Sequence, residues 1–356
     1  MALSQTRRLP VTVVTGFLGA GKTTLLRHLL VHSGQRLAVV VNEFGEVGID
    51  GDLLRRCGFC HEDELEGRLV ELANGCLCCT VQDDFLPTMQ TLLDRAESLD
   101  GILVETSGLA LPEPLLAAFN WPEIRSRTWV SGVVAVVDGE ALAAGSVVAD
   151  PAALEAQRLA DASLDHAPAI EALFEEQLES ADLVLVSRAD CLMPGDLERL
   201  IHRLQPSIRA GTAILPMHRG RIDPQLVIGL ERTQRLQAGA DQHHDDHHQH
   251  DHSHVAMESM ALRLEGQLER QALEAALLSL IRDFGLIRVK GRLWLPGKTR
   301  PLEIQAVGPR LESWFADTAG SDAGRLPSLD LVLLGFRLPQ AELRAAVESL
   351  LSPAPA

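Results

Sequence analysis

Three groups of residues carry chemistry by their type and spacing. The first is Gly16-Phe-Leu-Gly19-Ala20-Gly21-Lys22-Thr23-Thr24. Glycines at 16, 19 and 21 free a loop to turn its N–H groups towards phosphate, Lys22 adds a point charge for the outer phosphates, and Thr23 offers a hydroxyl to Mg²⁺. Ala20 and Thr24 complete the loop between an apolar strand pattern and a leucine-rich helical one, the context in which this spacing binds nucleotide. The second group is Glu105-Thr-Ser-Gly108, at the end of an apolar run. Its carboxylate suits Mg²⁺ held through water, and the Gly108 amide suits a γ-phosphate sensor. Read alone, the same glutamate equally caps the next loop; beside a phosphate-binding loop the functional reading takes precedence. The third group is Cys76-Leu-Cys78-Cys79. Thiolates at this spacing suit a borderline or soft cation such as Zn²⁺, Co²⁺ or Cu(I), and not a dedicated Mg²⁺ site.

A fourth, weaker signal is Ser187-Arg188-Ala189-Asp190, which follows a buried strand pattern. Guanine sites usually carry Asn-Lys-x-Asp here, with the aspartate accepting from guanine N1 and N2. Asp190 is kept, Ser187 replaces the asparagine and Arg188 replaces the lysine. Arginine can lie flat over a purine but is not a neutral exchange for lysine. Among the other thiols, Cys57-x₂-Cys60 and Cys76-x₂-Cys79 together also match a four-cysteine structural zinc pattern. That grouping leaves Cys78 unexplained and spans a strand pattern at 68–73, so the Cys-x-Cys-Cys reading is preferred and Cys57 and Cys60 are left without a role. Cys191 stands alone and reads as a small apolar residue.

Elements must place these groups together. Apolar runs near 11–15, 37–42, 68–73, 101–106, 132–138, 182–187 and 211–216 alternate with amphipathic stretches. Such β/α alternation predicts a doubly wound, mostly parallel sheet with its ligand loops at the carboxyl ends of the strands. Between His243 and His254 lie seven histidines interleaved with aspartate, without apolar periodicity. This composition cannot repay the entropy of ordering, so residues 233–256 are expected to be a linker between a first domain, 1–232, and a smaller α+β domain, 257–356. Neutral imidazoles beside carboxylates also suit loose capture of divalent metal. In the smaller domain, 257–264, 286–295, 301–307 and 329–336 read as strands, and 267–283 and 339–351 as helices.

The composition bounds the partners. A formal charge of −17 argues against a broad surface for nucleic acid or an anionic membrane, because either requires a clustered excess of Lys and Arg. No apolar run approaches a membrane span, and the first residues lead into a strand without a secretory apolar region, which predicts a cytosolic protein. Five of the six cysteines lie between Cys57 and Cys79, which in a reducing compartment points to metal or redox chemistry rather than to disulfides.

Over nearly its whole length the chain resembles the CobW family of P-loop GTPases. The matching segments are Thr15 to Thr24, Asn42-Glu-Phe-Gly-Glu46, Asn74 to Cys79, Glu105 to Gly108 and Leu286-Ile-Arg-Val-Lys-Gly291. The resemblance implies a GTPase domain joined to a CobW-type C-terminal domain, slow GTP hydrolysis, and a metal site at Cys76, Cys78 and Cys79 coupled to the nucleotide. Glu46 then supplies an oxygen ligand or forms part of a switch. The continuations Leu109 to Leu116 and Ala156 to His166 are most similar to the members tied to aerobic cobalamin synthesis, which implies Co²⁺ as cargo and a cobaltochelatase as client. Zinc-handling members share the three cysteines, and Ser187 and Arg188 depart from the family pattern where guanine selectivity is set.

Overall fold

The computed structural model describes residues 8–42, 69–72, 85–160, 170–228, 257–316 and 326–351. The chain divides into two compact units, Met1–Ile228 and Gly229–Ala356.

In the first unit seven strands pair in one sheet. They are β1 (Leu9–Thr15), β2 (Leu37–Asn42), β3 (Leu69–Leu72), β4 (Gly101–Glu105), β5 (Thr128–Asp138), β6 (Leu183–Ser187) and β7 (Ala213–Pro216). Their order is β3-β2-β4-β1-β5-β6-β7 and every pairing is parallel. Parallel pairing needs a crossover between strands, so all carboxyl ends emerge at one edge. The crossovers contain α1 (Lys22–His32), α2 (Leu86–Asp94), α3 (Pro112–Ala118), α4 (Pro122–Arg125), α5 (Gly139–Ala143), α6 (Pro151–Ala160), α7 (Ile170–Ser180) and α8 (Asp196–Leu204), and α9 (Pro224–Ile228) follows β7.

Burial on both sides explains why the strands are continuously apolar. All of Gly101–Glu105 and Leu183–Ser187 is buried. One core packs Val11, Val13, Val40 and Val104 against Met89, Leu92 and Leu93 of α2 and Leu115 of α3. Another packs Val137, Val184 and Val186 against Leu142, Leu178, Leu200 and Leu204. Each such leucine is worth about 1.5–3 kcal/mol when fully buried. β5 starts at Thr128, earlier than its apolar run suggests. Of the added residues, 128–130 pair with Leu9–Val11 of β1, and the hydroxyls of Thr128 and Ser131 are satisfied inside the protein. Thr128 Oγ1 donates to the Ile124 carbonyl at 3.1 Å and Ser131 Oγ to the Val11 carbonyl at 3.0 Å.

The second unit is an antiparallel sheet with two helices. Its strands are β8 (Met257–Glu265), β9 (Arg288–Trp294), β10 (Leu302–Val307), β11 (Arg310–Phe315) and β12 (Ser328–Phe336), ordered β11-β10-β9-β12-β8. Alternate residues Val289, Leu293, Leu329, Leu331 and Leu333 share a core with Leu273, Leu277 and Ile281 of α10 (Arg270–Phe284) and Leu343 and Val347 of α11 (Gln340–Glu348). β11 is an addition to the sequence expectation. It is a strand of mixed polarity that pairs, among the described residues, only with β10, so no apolar run marks it, and the turn is made by Gly308 at φ 47°. Among the described residues no helix is long and apolar enough to cross a membrane.

Candidate nucleotide site

The phosphate-binding loop leaves β1 and enters α1 through three glycines at positive φ: 137° at Gly16, 76° at Gly19 and 103° at Gly21. At Gly16 the need is also steric, because a Cβ would stand 2.2 Å from the Val136 carbonyl oxygen of β5. Gly21 is the N-cap of α1 and offers no side-chain acceptor, so the first-turn amides of this leucine-packed helix are left to an outside anion.

Lys22 and Glu105 are both buried, at 6% and 2% exposure, and form a pair with Nζ 3.8 Å from Oε1. Lys22 Nζ also donates to the Phe17 carbonyl at 3.3 Å, which folds its ammonium back over the loop. The Thr23 hydroxyl donates to the same Glu105 oxygen at 3.4 Å. A hydroxyl and a carboxylate this close are hard oxygen donors of the kind Mg²⁺ takes, so the residues present fit that ion. The loop after β4 packs directly on the phosphate-binding loop: a Cβ on Gly108 would stand 2.7 Å from the Leu18 nitrogen. Thr106 Oγ1 donates to Thr15 Oγ1 at 3.0 Å, a second tie between the ends of β4 and β1.

A cavity of about 600 Å³ opens over this edge, lined by Gly19, Ala20, Gly21, Lys22, Thr23 and Thr24 and, across from them, by Ser187, Arg188, Met217, Arg219 and Gly220. Arg188 adopts φ 51°, and its side chain is engaged within the protein. Its guanidinium pairs with the buried Asp138 and donates to the Gly19 carbonyl at 3.2 Å, lacing the end of β5 to the phosphate loop. Asp138 in turn caps α5, accepting from the Glu140 and Ala141 amides at 3.1 Å each. The Ser187 hydroxyl is buried, with no hydrogen-bond partner among the described residues.

Asp190 sits just beyond, bound to Arg219. One carboxylate oxygen accepts from the Arg219 amide at 3.2 Å and the other from its Nε at 3.3 Å. Burial alone would raise the Asp190 pKa, but its own and the Arg219 N–H groups, with the Arg219 charge, hold it below the usual aspartate range. It therefore stays an ionised acceptor of two N–H donors at neutral pH.

Thus the structure brings together Gly16, Gly19, Ala20, Gly21, Lys22, Thr23, Thr24, Glu105, Gly108, Ser187, Arg188 and Asp190 at one sheet edge. Glu46, Cys76, Cys78 and Cys79 lie outside the described residues, as do Cys57, Cys60 and the histidine tract. Sequence reasoning overlooked Asp138, although an apolar strand ending on a carboxylate is the pattern that singled out Glu105. It also overlooked Arg219 and Gly220, which follow a short strand with no motif to mark them. Gly220 is needed there, since it has φ 73° and a Cβ would stand 2.4 Å from Thr24 Cγ2.

Residues 10–215 match the CobW/HypB/UreG nucleotide-binding domain, and residues 257–351 match the cobalamin synthesis protein cobW C-terminal domain. The zinc chaperone CobW of Pseudomonas aeruginosa is 45% identical over 353 residues, covering 97% of this chain and 92% of that protein. A protein of the same name from a Sinorhizobium species is 40% identical, covering 96% of this chain and 97% of its own length. The zinc chaperone YjiA of Escherichia coli is 28% identical, covering 96% and 98% respectively. With both domains matched in order and two relatives at 40% identity or more across almost the entire length, the chain belongs to the CobW family.

Proposed function

We propose that this protein is a GTP-hydrolysing metallochaperone. It takes up a transition metal at the thiolates of Cys76, Cys78 and Cys79 while GTP is bound, and passes the metal to a client once GTP has become GDP and phosphate. The observation that carries the reading is the convergence of Lys22, Thr23, Glu105, Ser187 and Arg188 at one parallel-sheet edge, with the Cys-x-Cys-Cys segment following β3 of the same sheet. In this reading Lys22 and the α1 amides balance the phosphate charge, Asp190 accepts from guanine, and the Gly108 amide reports the γ-phosphate. Thr23 and Glu105 hold Mg²⁺, which when bound neutralises charge between the outer phosphates. Glu46 contributes an oxygen ligand or part of the switch. Residues 1–232 form the GTPase domain, 233–256 a linker that gathers metal loosely, and 257–356 the C-terminal domain. Free thiolates require a reducing compartment, which favours the cytosol.

The zinc chaperone names of the relatives favour Zn²⁺ as cargo. A second reading, Co²⁺ delivered to a cobaltochelatase, is favoured by the cobalamin-synthesis description of the C-terminal domain. Competition between Zn²⁺ and Co²⁺ in the presence of Mg²⁺ and GTP separates the two. The same titration, repeated with GDP and without nucleotide, tests the switch. Co²⁺ reports its own coordination through thiolate charge-transfer absorption. Tight binding is expected with GTP alone, lost in Cys76→Ser and Cys78→Ser, and strengthening as pH rises towards the free thiol pKa of about 8.5, because only the thiolate ligates. Equal affinity in all three nucleotide conditions would reduce the protein to a metal buffer. Equal damage from Cys57→Ser and Cys60→Ser would instead indicate a four-cysteine structural site.

A further inference from the structure

One buried polar side chain outside the nucleotide site directs its amide nitrogen to the loop that follows β4. Gln177 on α7 is 2% exposed, and its Nε2 donates to the Gly108 carbonyl at 3.2 Å and to the Ala110 carbonyl at 3.1 Å. Burying a glutamine without its hydrogen bonds is costly, and both N–H groups of this amide are used on that loop. The two carbonyls flank Leu109, which is buried in a small cluster with Phe17 of the phosphate-binding loop and Leu173 of α7, and with Phe174 packed against it. The Phe17 and Phe174 rings stack at 6.0 Å. One side of α7 is thus attached to both loops that meet the phosphates, by hydrogen bonds to one and by ring packing to the other.

From this geometry we infer that Gln177 is the positioning residue of the γ-phosphate-sensing loop. The inference rests on the reading of Gly108 as that sensor. With its two N–H groups Gln177 fixes the planes of the 108–109 and 110–111 peptides, and so keeps the Gly108 backbone seated on Leu18, where no Cβ would fit. Without those donors the two buried carbonyls must turn to find other partners, and the loop leaves the phosphate-binding loop. GDP makes no demand on this loop, because it lacks the γ-phosphate. Loss of Gln177 therefore separates the two nucleotides, whereas a residue of merely structural importance weakens both alike.

The test uses Gln177→Met, which keeps length and volume but removes both donors. Affinities for GDP and for a non-hydrolysable GTP analogue are measured with Mg²⁺ in the full-length parent and the variant, together with kcat and KM. Affinity for the GTP analogue and kcat are expected to fall about tenfold while GDP affinity stays within about twofold, as loss of two loop hydrogen bonds would produce. An unchanged ratio of the two affinities overturns the inference. A parent that itself binds both nucleotides alike, or does not hydrolyse GTP, overturns the γ-phosphate reading on which the inference stands. A second measurement needs no variant: hydrogen exchange in the parent, with GDP and with the GTP analogue. Protection is expected to rise together over 106–111 and over Ile170–Ser180, and a rise confined to 106–111 overturns the link through Gln177.

Discussion

At the residue scale, the site is built from charges that satisfy one another until nucleotide arrives. Lys22 is paired with Glu105 and with the Phe17 carbonyl, so phosphate has to redirect an ammonium that is already buried and close by. Lys22→Ala is expected to reduce GTP turnover by at least about 100-fold, in line with losing one electrostatic contact to a transferring group. Glu105 keeps its bond from Thr23, so the variant should retain its far-UV circular dichroism; full turnover in that folded variant would remove Lys22 from the proposed mechanism. Arg188 makes a different contribution. Its partner Asp138 keeps two backbone donors if the guanidinium is lost, and the guanidinium is itself partly exposed, so the cost of Arg188→Ala should be modest. A loss of about 1–2 kcal/mol in urea unfolding is expected, with weaker GTP binding because the Gly19 carbonyl loses its tether. Much of the site was legible at this scale, since Gly16, Gly21, Lys22, Thr23 and Glu105 announce themselves by spacing. Asp138 and Arg219 were not, because each acts through a partner remote in sequence.

At the element scale, α1 is anchored at its N-terminus and near its middle. Its N-terminus belongs to the phosphate site, and further along His28 sits with Nε2 2.7 Å from the Ile222 carbonyl, just before α9. Burial pushes the His28 pKa below its ordinary 6.5, and His32 and Arg221 push the same way; the Ile222 carbonyl and Asp223 act in opposition. A lowered histidine pKa means the unfolded chain binds the proton more readily. The contribution of His28 to stability is therefore complete above its unfolded pKa and is lost as pH falls through the lower folded value. Melting temperatures at about pH 7.5 and about pH 5.5 should show a smaller acid-dependent loss in His28→Gln than in the parent, since glutamine can still donate to Ile222 and cannot titrate in this range. An identical loss in the two proteins would place the acid sensitivity elsewhere. Most elements were legible as well: parallel strands buried on both sides read as apolar runs, as in β4 and β6. β11 and the start of β5 were not, because their pairing partners, rather than their own composition, make them strands.

At the scale of the whole molecule, the chain divides into two units of different architecture, and the sequence between Ile228 and Met257 is rich in histidine and aspartate. If that segment gathers metal without forming the principal site, deleting residues 241–254 should leave GTP turnover and the tightest metal equivalent intact and remove several weaker equivalents, as counted by isothermal titration. Disappearance of the tight equivalent with the tract would move the main site away from Cys76, Cys78 and Cys79.

The order of amino acids alone determined the α/β class, the phosphate-binding loop and the family resemblance, because these depend on local spacing. Glycines at fixed intervals, a lysine and threonine at the head of a helix, and strands apolar along their length are properties of contiguous segments. Only the tertiary structure decided what each charge touches. It set Arg188 between Asp138 and Gly19, bound Asp190 to Arg219, and aimed Gln177 at Gly108 and Ala110. The pairs Asp138–Arg188 and Gly108–Gln177 are separated by 50 and 69 positions in the chain. Asp138 and Arg188 become neighbours because parallel crossovers carry every strand's carboxyl end to the same edge, and Gln177 meets Gly108 because α7 packs on the loop after β4; no local pattern encodes which side chains will meet.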